Sequence, residues 1–67
     1  MNVPLDQAID IHAKALKHRN GRQAPRAARR HARRCEAIGD HDGCGVWLRV
    51  AAAAEALLAE EGAQKAL

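Results

Sequence analysis

Apolar residues recur along this chain at helical rather than strand spacing. In the first segment Leu5, Ile9 and Leu16 fall in one narrow sector at about 100° per residue, with His12 beside them, while Asp6, Asp10, Lys14 and Lys17 gather opposite. This predicts an amphipathic helix over residues 4–19, opened by Pro4 and stopped at Asn20 and Gly21. Asp10 and Lys14 are one turn apart on it and should attract. In the second segment Ala24, Ala28, Ala32, Cys35 and Ile38 make one face, with His31 within it, predicting a helix over 25–38 that Pro25 opens and Gly39 ends.

Asp40 is a natural N-cap for a third helix over 41–61, which Gly62 should stop, leaving 62–67 as a frayed tail. Its main face is Val46, Val50, Ala53, Ala54 and Leu57, flanked by Trp47, Ala51 and Leu58. Leu48, Ala52 and Ala59 form a second apolar strip across the Glu55 edge. The expected fold is therefore all-α: a three-helix unit forming one domain over 1–67, with the second and third helices paired as an antiparallel hairpin. Two apolar strips need two covering surfaces. The first two helices can cover one, so the strip at Leu48, Ala52 and Ala59 points to a homodimer interface. Isolated alanines are also tolerated at a surface, which leaves the monomer open.

Length sharpens that question, because a single core in 67 residues buries only about 60% of the surface its unfolded chain exposes. Trp47 is the sole aromatic, so alanine and a few branched aliphatics must build the interior. Two cysteines do not make a disulfide scaffold, and the first ten residues lack the basic start of a secretory signal. The run from Val46 to Ala59 is short and broken by Arg49 and Glu55, so no membrane span is expected. These readings point to the cytoplasm.

Charge is distributed unevenly along the chain. Residues 12–34 hold nine Lys or Arg and no acid, whereas 35–67 hold six acids against Arg49 and Lys65. Within the basic half, Arg26, Arg29, Arg30, Arg33 and Arg34 lie opposite the alanine face of the second helix. Such a face suits an acidic protein surface or a nucleic-acid backbone. No Phe or Tyr is present for base stacking, and no Asn or Gln interleaves with these arginines to read bases. The expectation is a non-enzymatic interaction or regulatory protein using the arginines on an acidic partner. A nucleic-acid-binding regulator or inhibitor using the same face is the alternative.

A second constellation is His31 and Cys35 one turn apart, followed by His41 and Cys44 across the turn. Four such side chains could ligate zinc if the turn closed them into a tetrahedron, giving a zinc-stabilised helical module as a third reading. Each cysteine also serves as a small apolar residue on its own helix face, so the expectation is no metal and no cofactor. A Cys/His pair without an orienting third group or an oxyanion loop does not point to catalysis.

The pattern of Ala32, Cys35, Gly39-Asp40, Gly43, Trp47, Val50, Ala54 and Leu57 resembles one found in short, uncharacterised alphaproteobacterial helical proteins. It is also similar to one tetratricopeptide-type helical hairpin. Either resemblance implies a hairpin used for packing or protein contact and brings no catalytic residues. Physically, Gly39 supplies the left-handed stop, Asp40 the cap, and Gly43 with Gly45 close approach of the third helix to the second, with Trp47 as the anchor.

Overall fold

The computed structural model describes residues 4–65. It is all-α, with no strand among the described residues, and consists of two helical stretches separated by a tight turn at residues 38–40. The first stretch comprises helix α1 (Leu5–Asn20), a single 3-10 turn (Gly21–Gln23) and helix α2 (Ala24–Ala37). The second is helix α3 (His41–Lys65). None of the helices is long and apolar enough to cross a membrane among the described residues.

The helix boundaries follow local chemistry. Pro4 precedes α1, and its carbonyl accepts the first helical bond from the Ala8 N–H at 3.0 Å. Gly21, at φ 56°, breaks α1, but the chain re-enters helix within a single 3-10 turn. Pro25 sits in the first turn of α2, where its missing N–H costs nothing. The turn after α2 is a Schellman closure: Gly39, at φ 80°, donates to the Glu36 carbonyl at 3.1 Å, and the Asp40 N–H reaches the Cys35 carbonyl at 2.8 Å. Asp40 then caps α3, its Oδ1 accepting from the Gly43 N–H at 2.9 Å. One residue thus closes one helix with its backbone and opens the next with its side chain.

Two boundaries differ from expectation. Ile38 lies beyond the end of α2 and is 79% exposed, because it occupies the turn rather than the helix face. Gly62 does not stop α3, which continues to Lys65. A lone glycine weakens a helix by about 1 kcal/mol relative to alanine, and no following proline enforces a stop. Residues 1–3 of the expected domain, and 66 and 67 of the expected tail, lie outside the described residues.

The core is built mainly of alanine. Ala13, Ala24, Ala28 and Ala54 are completely buried, with Ile9, Val50 and Ala51 beside them and Leu16, Val46, Trp47, Ala53 and Leu57 at the margin. Val50 is the largest fully buried side chain. Small side chains let helices approach closely, but each contributes little apolar area. The most extensive packing is between α2 and α3, followed by α1 against α3. Leu5, assigned by spacing to the core sector of α1, is 52% exposed because it lies at the helix tip. The molecule measures 44 × 30 × 16 Å, so it is a flat body thin in one direction.

Candidate functional site

The five arginines of α2 are all exposed, but they do not form one uniform face. At about 100° per residue Arg29 lies at one edge of the cluster, Arg26 and Arg33 in the middle, and Arg30 and Arg34 at the other edge. The first edge faces α3, where Arg29 pairs with Glu55. Both partners are about half exposed, so the pair contributes at most about 1 kcal/mol. Glu55 lies in the middle of the strip formed by Leu48, Ala52 and Ala59, and all three of these residues are exposed. Sequence reading placed Glu55 at that strip without seeing that Arg29, 26 positions away, would meet it.

The opposite edge faces α1. Arg30 and Arg34 line a cavity of about 320 Å³ together with Arg19 and Asn20 from the end of α1, Leu16 and His31. Among the described residues no carboxylate lines it. Arg19 was missed as a site residue because its helix face gives no hint of α2; the long basic run was the only available signal. Among the described residues no carboxylate comes within ion-pair distance of Arg26, Arg30, Arg33 or Arg34.

Trp47 of α3 meets a residue of each of the other two helices. Its ring stacks on His31 of α2 with centroids 4.2 Å apart and planes 17° from parallel. His12 of α1 approaches the same ring in a tilted arrangement at 6.2 Å. The two imidazoles therefore both meet the indole.

The four candidate zinc ligands do not assemble. His31 stacks on Trp47, Cys35 and Cys44 are free and half-buried, and His41 is exposed at the start of α3. Among the described residues no three His, Cys, Asp or Glu side chains gather where a metal ion could be held. Gly43 and Gly45 also act differently from the close-approach role expected of them. A Cβ at Gly43 would lie 2.3 Å from Asp40 Oδ2, whereas one at Gly45 would meet nothing within 4 Å. Gly43 makes room for the cap, not for α2.

A second, larger concavity of about 700 Å³ runs between the end of α1 and α3, with Lys14, Lys17, Arg22, Leu57, Leu58 and Glu61 on its walls. Lys17 and Glu61 pair across it at 2.7 Å. Its charges are of both signs, in contrast to the arginine cavity. Comparison with protein-family models, curated proteins and solved structures finds no match.

Proposed function

We propose that this protein is a small, non-enzymatic interaction or regulatory module, a three-helix unit whose α2 and α3 form an antiparallel hairpin, and that its arginine face docks on an acidic protein surface. The observation that carries this reading is the set of four exposed arginines on α2 with no carboxylate in reach among the described residues. Guanidiniums held this way favour an anionic partner bearing several carboxylates. The free thiols of Cys35 and Cys44 suit a reducing cytoplasm.

We further propose that the working form is a homodimer through Leu48, Ala52 and Ala59. Leu48 is 51% exposed on the flat body, which adds an apolar anchor to that strip.

Binding is tested with polyglutamate, random-sequence duplex DNA and single-stranded RNA over a salt series, using wild-type protein and an Arg26→Gln/Arg33→Gln variant. Polyglutamate should bind, and the variant should bind it more weakly at fixed salt. Equal or tighter binding to nucleic acid, with a steep loss on adding salt, would move the assignment to a nucleic-acid regulator. Absence of binding to all three at low salt would refute the docking face. Solution mass tests the dimer separately: Leu48→Glu should give monomer, and an unchanged mass would refute the interface.

A further inference from the structure

Three guanidiniums, an imidazole and a side-chain amide border the cavity between α1 and α2, and they come from two separate helices. Arg19 and Asn20 belong to the last turn of α1, Arg30 and His31 to the middle of α2, and Arg34 to its last turn. With no acid in its lining, the cavity concentrates positive charge in a concave space of about 320 Å³. That lies at the lower end of the range for small-ligand pockets, roughly 300–1,000 Å³. Like charges this close repel, and an anion entering between them removes the repulsion.

We propose that this cavity is a binding site for a phosphate monoester. A carboxylate carries one negative charge and would leave the three arginines largely uncompensated. A phosphate monoester carries about −1.5 to −2 at neutral pH and presents three acceptor oxygens, a closer match to three guanidinium forks. Leu16 supplies an apolar patch on the wall for whatever carries the phosphate. The cavity shares Arg30 and Arg34 with the docking face, but Arg19 and His31 are outside that face and Arg26 and Arg33 are outside the cavity, so each can be tested by itself.

The structure provides its own reporter. Trp47 is the only tryptophan of the chain and stacks on His31, which lines the cavity. An anion settling beside His31 should therefore change the indole emission. Inorganic phosphate, O-phosphoserine, a short phosphoserine peptide and glutamate are titrated at constant ionic strength, read by Trp47 fluorescence and by calorimetry. The phosphate compounds should saturate, with glutamate weaker by about tenfold or more, as expected when charge-assisted hydrogen bonds are lost. The peptide binding more tightly than inorganic phosphate assigns the group to a partner chain, and equal affinity assigns it to a small phosphorylated molecule; both support the site.

Arg19→Gln changes an exposed residue. It should weaken phosphate binding by about tenfold, with helicity and melting preserved and polyglutamate binding unchanged. Arg26→Gln/Arg33→Gln should do the reverse, so failure of the docking face and failure of the cavity are distinguishable. Arg34→Gln provides a second cavity variant. Glutamate binding as tightly as O-phosphoserine, no saturable response to any phosphate compound, or Arg19→Gln and Arg34→Gln both leaving phosphate affinity intact would each overturn the proposal.

Discussion

Gly43 and Gly45 lie two residues apart at the start of α3, and both have helical backbone, but an added methyl group meets different surroundings at each. Replacing glycine by alanine inside a helix stabilises by roughly 0.5–1 kcal/mol, because the unfolded chain loses conformational freedom. At Gly45 the methyl enters open space, so Gly45→Ala should realise that whole gain. At Gly43 the methyl would sit 2.3 Å from Asp40 Oδ2 and 2.8 Å from its Cγ. The carboxylate must then leave the position from which it accepts the Gly43 N–H, and a lost N-cap costs about 1 kcal/mol. Gly43→Ala should therefore be neutral or slightly destabilising.

The two variants should differ by about 1 kcal/mol, which for a domain of this size is about 5 °C in Tm. Far-UV circular dichroism melts at one fixed protein concentration measure it, since a dimer would make Tm concentration-dependent. The Asp40→Ala background isolates the cause. With the cap already absent, Gly43→Ala should become as stabilising as Gly45→Ala, and the cycle should yield a coupling of about 1 kcal/mol. Equal shifts for the two glycine variants in the wild-type background, or an unchanged Gly43→Ala effect in Asp40→Ala, would refute the assignment of Gly43 to the cap.

Other positions test other parts of the structure. Val50→Ala removes two methyl groups from the largest fully buried side chain and should cost about 2 kcal/mol, lowering Tm by about 10 °C; a shift within error would show that the core does not depend on it. Gly39→Ala forces a side chain onto φ 80° and should cost about 1–2 kcal/mol in denaturant unfolding, whereas equal stability would contradict the Schellman closure. Glu55→Gln should cost only about 0.2–1 kcal/mol yet tighten polyglutamate binding, because Arg29 is released to the docking face; weaker binding would argue against that face. Raising salt from low to moderate concentration should increase Tm as repulsion among the α2 arginines is screened, and a steady fall would mean that attractive pairs outweigh it.

Features set by neighbours in the chain were legible in the sequence, and features set by how helices meet were not. Gly39, Asp40 and the Asp10–Lys14 pair, at 3.0 Å in the structure, act over three to five residues and require no knowledge of the fold. Periodicity also identified the face of α2 that carries buried Ala24, Ala28 and Ala32. It could not give depth: Leu5 and Ile38 share the apolar sectors of their segments yet remain exposed, one at a helix tip and one in a turn. Gly62 was misread because a glycine ends a helix only when the chain has a better alternative to follow. The meeting of Arg29 with Glu55, of His31 with Trp47, and of Arg19 with Arg30 and Arg34 depends on crossing geometry, which no local spacing encodes.

The division of the arginine cluster also bears on why so much like charge persists on one helix. Arg26 and Arg30, Arg29 and Arg33, and Arg30 and Arg34 are each four residues apart, a spacing at which like charges destabilise a helix by about 0.2–0.5 kcal/mol per pair. The three pairs together oppose α2 by about 1 kcal/mol, a substantial fraction of the stability expected from so thin an alanine core. Glu55 relieves one edge of the cluster. Among the described residues the middle and the α1 edge have no such relief, and at the α1 edge Arg19 adds a further positive charge from a different helix. A fold with little stability to spare therefore concentrates repulsion where a concave, acid-free surface has formed. Binding an anion there recovers energy that the free protein lacks, so ligand affinity and fold stability are coupled through the same residues.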